Sequence, residues 1–145
     1  MNTLEHNKHV VTRYYEELLN QGRTEIVDEL FSEDFLRDEQ PVPGMLKGRG
    51  ALIHVVHAWH EAFPDFREEI ENLLAEGDQV AARFRFTGTH EGVFLKIAPT
   101  GRSVAMNGIE IFKLRDGHIT HVWYAEQLHD LLEQLGAIQP VESGW

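Results

Sequence analysis

Three polar side chains near the C-terminal end of the sequence belong to types that perform acid–base chemistry: Glu110, Tyr124 and Glu126. They lie in the segments 107–115 and 118–126, which are otherwise rich in the β-branched and aromatic residues of buried strands. A buried carboxylate costs free energy unless it meets water, pairs with a cation or takes part in a reaction. Glu110 is therefore a candidate general base, and Tyr124 is a candidate hydrogen-bond donor to a substrate oxygen.

Each of these three residues also has a purely structural interpretation. Glu110 could pair with Arg83 or Arg85 on a neighbouring strand, and the ring of Tyr124 could simply pack in the wall of a pocket. Glu126 stands just before a predicted helix, where the helix dipole favours an acidic residue. We therefore favour a capping role for Glu126, with substrate binding as the alternative.

The turn "RDG" decides which side chains share a face of the last hairpin. A two-residue turn would pair Arg115 with His118, whereas a three-residue loop with Gly117 as a bulge would pair Leu114 with His118. The three-residue loop separates apolar from polar residues better, so it is the predicted register. It places Glu110 diagonal to Tyr124. One predicted face carries Ile109, Ile111, Ile119 and Trp123, and the other carries Gly108, Glu110, Phe112, Thr120, Val122, Tyr124 and Glu126.

Three further residues are candidates for substrate binding. His90, in "GTHEG", is of the type that exchanges protons near neutral pH, although it could instead be a turn histidine bonded to the backbone. Arg37 could bind an anionic or carbonyl group, or form a surface ion pair of little energy. Trp59 lies on the apolar stripe of the predicted helix "ALIHVVHAWHEAF".

The same helix carries His54, His57 and His60, a spacing that suggests a metal site. Each step of three residues turns the side-chain direction by about 300° around the helix, so the three rings fan out. Metal ligands must converge on one point. We therefore predict a solvated helix face and no metal, with His60 nearest the apolar stripe.

Composition and charge restrict the possible functions. The chain has 145 residues, no cysteine and a net charge of −11. It therefore lacks disulfides and thiolate chemistry, and its acidity argues against binding nucleic acid. No signal peptide and no apolar run of about 20 residues is present, so we expect no membrane association and a soluble, cytoplasmic protein.

The order of elements predicts one α+β domain over residues 1–145. Helices are predicted over 9–22, over 24–31 with Thr24 as its cap, and over 51–63, with a loop at 32–50. Strands follow, joined by turns at "EGD", Pro99–Gly101 and "RDG". A short helix ends at Gly136, and the tail from about residue 137 is expected to be loosely held.

The chain resembles the SnoaL-like polyketide cyclases of the NTF2-like superfamily over nearly its whole length. The resemblance rests on the order and spacing of several segments: "YYEELLNQG", "ELFSEDFL", "HEAFPDF", "AEGDQVAARFRFTGTHEGVF", "PTGRSV", "NGIEIFKLRDGHI" and "LLEQLG". It implies a cone, in which a curved antiparallel sheet wraps around helices and encloses a deep pocket. It also implies a homodimer formed through the outer face of the sheet.

The resemblance further implies an intramolecular aldol ring closure that needs no metal or cofactor. By a gap-free match, the family's acid–base Asp falls on Tyr124 and its His on Glu110. Its Gln falls on Gly108 and its Asn on Arg37. Many relatives carry an Asp a few residues after the strand aromatic, and Gln127 occupies that position here.

We therefore expect a cofactor-free enzyme that acts on a small hydrophobic molecule, with Glu110 as the base and Tyr124 assisting. Two alternatives remain open. The chain could be a small-ligand-binding member of the superfamily without catalysis, or it could be another cofactor-free isomerase, dehydratase or hydrolase.

Overall fold

The computed structural model describes residues 2–37, 48–142 and 144. It confirms the α+β class. The elements are α1 (Thr3–Arg13) continuing into a π-helix (Tyr14–Asn20), a 3₁₀ turn (Thr24–Ile26), α2 (Val27–Leu30), β1 (Phe31–Arg37), α3 (Gly48–Ala62), β2 (Arg67–Glu76), β3 (Gln79–Thr89), β4 (Ser103–Arg115), β5 (His118–Glu126) and α4 (Leu128–Gln134).

The five strands form one curved sheet in the order β1-β5-β4-β3-β2. Strands β2 to β5 are the predicted antiparallel meander, and β1 adds to the edge in parallel with β5. The loop predicted at 32–50 is therefore wrong over 32–37, where Phe35 turns into the core while its acidic neighbours stay exposed. The prediction is also wrong over 48–50, which form the first turn of α3, and the remaining part, from 38 to 47, lies outside the described residues.

The N-terminal helix begins earlier than its apolar periodicity predicts. Its first residues are polar on all sides, and the start at Thr3 is set by a cap, because the side chain of Asn2 accepts a hydrogen bond from the N–H of Glu5 at 2.8 Å. The predicted cap at Thr24 is wrong, since Thr24 lies inside the 3₁₀ turn and the capping position is Arg23, without a side-chain bond. Ile26, however, is buried as predicted.

The turn of the last hairpin has two residues, so the predicted three-residue register is wrong. Asp116 and Gly117 have φ of +51° and +79°, as a type I′ turn requires, and Arg115 pairs with His118. A bulge follows at Thr120, because Leu114 pairs with Ile119 and Lys113 with His121. The bulge shifts the pairing by one more residue and restores the predicted faces from Phe112 onward. Ile119, predicted on the outer face, is buried in the core instead.

The core lies between the concave face of the sheet and the helices. Alternate residues of β3 and β4 are buried, which fixes the inner face of the sheet. The largest fully buried rings are those of Tyr15, Phe31, Phe63, Phe86 and Phe112. Within the described ranges, no helix is long and apolar enough to cross a membrane.

We predict that Gly117→Ala lowers the free energy of unfolding by about 1 kcal/mol, because an L-residue with a Cβ is disfavoured at positive φ. The matched control is Gly50→Ala in α3, where the new methyl group meets nothing within 4 Å and should leave stability unchanged or raise it. Urea denaturation of both variants measures the difference. Equal stabilities of the two variants would contradict the type I′ turn.

Candidate functional site

A cavity lies between the concave face of the sheet, helix α3 and the π-helix. Its volume is about 40 Å³. Aliphatic side chains of α3 and aromatic rings from several elements form its walls, and Trp59 is one of these. Three carboxylates also line it: Glu68 of β2, Glu110 of β4 and Glu126 of β5. Among the described lining residues none is Lys or Arg, so the cavity combines apolar walls with acidic groups.

Glu110 is 5% exposed and receives a hydrogen bond inside the protein. The hydroxyl of Tyr15, which is 0% exposed, donates to Oε1 of Glu110 at 2.6 Å. That length is typical of an O–H donor bonded to an ionised carboxylate. The predicted alternative, an ion pair with Arg83 or Arg85, does not form, because both arginines point outward and Arg83 pairs with Glu71 at 3.0 Å.

The pKa of Tyr15 is raised well above its ordinary value. Burial is the largest cause, followed by the negative charge of Glu110, with a smaller contribution from Glu68. Each of these makes the phenolate more costly than the phenol. Tyr15 therefore stays protonated and acts as a hydrogen-bond donor throughout the physiological pH range.

The π-helix places Tyr15 against the sheet. Tyr14 and Tyr15 are both buried, and so are Leu18 and Leu19 one turn later. Tyr14 and Leu19 line the cavity, while Tyr15 reaches Glu110. The far end of the segment is fixed by Asn20, whose amide exchanges two hydrogen bonds with the backbone of Glu68, at 2.7 and 2.9 Å.

The two candidate residues of β5 take different positions. Tyr124 lies directly across from Glu110 in the strand register, closer than the predicted diagonal, but it is not among the residues that line the cavity. Glu126 lines the cavity and lies across from Gly108. The capping role favoured for Glu126 is not observed, since the capping position of α4 is Gln127, whose side chain accepts a bond from the N–H of Asn107 at 3.2 Å.

A phenyl ring occupies the space beside Gly108. A Cβ at position 108 would lie 2.3 Å from Cζ of Phe84, so no other residue fits there without moving the ring. Phe84 lines the cavity and also packs on the ring of Tyr15, with centroids 5.7 Å apart. Phe84 therefore narrows the cavity next to the candidate base.

His90 and Arg37 are not brought to the cavity by any described contact. The ring of His90 is fully buried at a turn, where Nδ1 meets the hydroxyl of Thr100 at 2.9 Å and accepts from its backbone N–H at 3.2 Å. This matches the structural alternative for His90. Arg37 ends β1 opposite Val122, and its side chain lies outside the described part of the structure.

The helical histidines follow the prediction of a solvated face. His54 and His57 are exposed, and His60 is half-buried with Nε2 against the carbonyl of Leu19. Within the described ranges, no group of His, Asp and Glu is arranged to hold a metal ion. His60 also lines the cavity, whereas the sequence predicts only that it is the histidine nearest the apolar stripe.

Two site residues escaped sequence reasoning. Helical periodicity assigns Tyr15 only to the apolar face of its helix, and nothing in its sequence neighbourhood marks it as a carboxylate partner. Glu68 carried a usable signal, because it alternates with Phe66 and Ile70 in "FREEI" and must share their inward face.

Comparison with known proteins agrees with this architecture. The model of the family described as SnoaL-like polyketide cyclase matches residues 9–135. The chain is similar to the nogalonic acid methyl ester cyclase of Streptomyces nogalater, with 28% identity over 128 residues that cover 87% of this chain and 95% of the relative.

Two solved structures are similar as well. A candidate polyketide cyclase from Bacillus cereus is 30% identical, with a TM-score of 0.80 over 92% of this chain and 82% of the other. TsrD from Streptomyces laurentii has a TM-score of 0.84 at 24% identity, covering 95% of this chain and 99% of the other, and it shows the shared fold. The predicted NTF2-like cone is thus confirmed.

We predict that the raised pKa of Tyr15 makes the protein sensitive to alkali. Well below pH 10.0, its ordinary pKa, the phenol is protonated in both the folded and the unfolded state, and its contribution to stability is constant. Above it, the unfolded chain loses this proton while the folded protein keeps it, so the free energy of unfolding falls. The free energy of unfolding of Tyr15→Phe, measured by urea denaturation, should fall less steeply above pH 10 than that of the unmodified protein. Parallel curves for the two proteins would contradict the raised pKa.

Proposed function

Since the chain belongs to the SnoaL-like polyketide cyclase family, we propose that it closes a ring in a small hydrophobic substrate by cofactor-independent acid–base chemistry. Glu110 is the proposed general base. The observation that carries this proposal is a carboxylate that is buried at an apolar cavity and accepts a hydrogen bond from a neutral phenol. Such a carboxylate is positioned to exchange a proton with a bound molecule.

The proposed reaction is an intramolecular aldol closure. The Glu110 carboxylate removes a proton from a carbon next to a carbonyl, which leaves an enolate. The enolate carbon attacks a second carbonyl carbon of the same molecule, so that one carbon–carbon bond forms and the second carbonyl oxygen takes up a proton to become a hydroxyl. The protonated Glu110 supplies that proton and is restored, so no oxidant or cofactor is consumed.

Three other residues have supporting roles in this proposal. Tyr124, directly across from Glu110, is the proposed donor to the enolate oxygen. Trp59 and Glu126, which line the cavity, are proposed to contact the substrate. The aromatic and aliphatic walls favour a hydrophobic molecule and exclude water from the enolate.

A second candidate function is binding of a small molecule without catalysis. The position of Phe84 favours it, because the ring fills the space beside Gly108 and narrows the cavity next to Glu110. In that case the protein retains a ligand but returns it unchanged.

We predict that Glu110→Gln lowers turnover at least about 100-fold, the usual contribution of a positioned base. The first probe is nogalonic acid methyl ester, the compound in the name of the Streptomyces nogalater relative. Its cyclisation is followed by liquid chromatography and mass spectrometry. The melting temperature should stay close to that of the unmodified protein, because the Gln carbonyl can still accept the Tyr15 hydroxyl.

The matched control is Glu71→Gln, which removes an exposed carboxylate from the outer face and should leave turnover intact. Full turnover in Glu110→Gln would place the base elsewhere. Retention of the probe without conversion, in the unmodified protein as well, would favour the binding function.

We also propose that the outer face of the sheet joins two copies of this chain. A continuous apolar row crosses four strands in register, from Leu74 through Ala81 and Ile111 to Trp123. Leu74 is 67% exposed and Ile111 is 39% exposed, so the helices described in the same chain do not cover this row. Because the row is straight and apolar, a second copy related by a two-fold axis can lay its own row against it.

We predict that Ile111→Lys shifts the protein from dimer to monomer in size-exclusion chromatography with light scattering, since it places two like charges in the centre of the contact. The control is Val93→Lys, which changes a more exposed apolar residue in a loop outside the sheet and should leave the dimer intact. A monomeric unmodified protein, or an unchanged mass in Ile111→Lys, would refute the interface.

A further inference from the structure

We propose that Tyr15 is a positioning residue for Glu110, which it holds in one orientation at the cavity and keeps ionised. The inference rests on the proposed function for its catalytic meaning, while the contact itself can be tested without turnover. Tyr15 is 95 positions away from Glu110 in the sequence and comes from the helical layer instead of from the sheet.

The first support is the geometry of the contact. The hydroxyl of Tyr15 lies 2.6 Å from Oε1 of Glu110, and both side chains are buried. A hydrogen bond of this kind to a buried carboxylate stabilises the ionised form more than the protonated form. It also fixes the rotation of the carboxyl group, on which the angle of proton removal depends.

The second support is the rigidity of the donor. The ring of Tyr15 packs edge-on against Tyr14 at 5.0 Å and Phe112 at 6.0 Å, and it is tilted against Phe84 at 5.7 Å. These contacts surround the ring with other rings, so the hydroxyl cannot swing away from Glu110. A donor held in this way is organised before any substrate binds.

The third support is the π-helix that carries the residue. Seven residues from Tyr14 to Asn20 adopt this rare conformation, which is found mostly in short segments at functional sites. It begins at the tyrosine pair and allows Tyr14 to line the cavity while Tyr15 reaches the sheet. Asn20 anchors its end to the backbone of Glu68, so the tyrosines cannot shift along the sheet.

The charges around Glu110 explain why such a donor is needed. Glu68 of β2 and Glu126 of β5 line the same cavity, and their negative charges oppose ionisation of a third carboxyl group. The other titratable groups facing this space are Tyr14 of the π-helix, His60 of α3 and Tyr124 of β5. The hydroxyl of Tyr15 donates a hydrogen bond to the central carboxylate of this group, and such a bond offsets part of that repulsion.

The decisive experiment follows the titration of Glu110 by ¹³C NMR of glutamate side-chain carboxyls in the full-length protein, with Glu110→Gln to identify the signal. In Tyr15→Phe, the midpoint should move to higher pH by about one unit or more, as loss of a hydrogen bond to a charged group implies. The control is Ile26→Val, which trims a buried residue of the 3₁₀ turn and should leave this midpoint unchanged.

Activity gives the second readout. With nogalonic acid methyl ester, the acidic limb of the pH profile of kcat/KM should move upward in Tyr15→Phe by the same amount, while Ile26→Val keeps the original profile. A titration that moves without turnover in any variant would support the contact and defeat the proposed reaction. An unmoved midpoint in Tyr15→Phe would overturn the positioning role whether or not turnover is seen.

A folding failure of Tyr15→Phe does not remove the test. Incorporation of 3,5-difluorotyrosine at position 15 keeps the ring and makes the hydroxyl a stronger donor. The midpoint of Glu110 should then move to lower pH. No movement with this substitution would equally overturn the proposal.

Discussion

The buried carboxylate of Glu110 is the constraint on which the arrangement of this protein depends. A carboxylate withdrawn from water must be compensated locally, and a short hydrogen bond from Tyr15 is part of that compensation. It also binds the helical layer to the centre of the sheet, so the site and the core are held together by one contact.

From Phe112 onward, β4 and β5 turn their side chains to the faces that the sequence predicts. The turn that joins the two strands differs from the prediction. The sequence predicts a three-residue loop because that register separates polar from apolar residues. The structure reaches the same separation with a two-residue turn and a bulge at Thr120, which together shift the pairing by two residues relative to the predicted three-residue loop. Periodicity therefore predicts faces reliably, whereas the turn dihedral angles and the burial of both Ile119 and Thr120 become visible only in three dimensions.

The limits of sequence reasoning are of the same kind elsewhere. The strand β1 is short and rich in polar residues, and its pairing with the distant β5 outweighs its local loop-like composition. The contact between Tyr15 and Glu110 joins residues 95 positions apart, and helical periodicity assigns Tyr15 only to the core. The π-helix leaves no mark in the apolar pattern. His90 is a candidate by residue type, but its Nδ1 is hydrogen-bonded to Thr100 within its own turn.

The pairing of β4 with β5 relates the position of Glu110 to the position at which the family resemblance expects a carboxylate. The family resemblance places an acid–base Asp at the position of Tyr124, on β5. Glu110 of β4 lies directly across from that position, and directly paired side chains of antiparallel strands begin about 5 Å apart. The carboxylate of Glu110, on a side chain one methylene longer than that of Asp, therefore lies beside the position that the resemblance gives to the family's Asp. Tyr124 holds that position here and pairs with Glu110 in the strand register without lining the cavity.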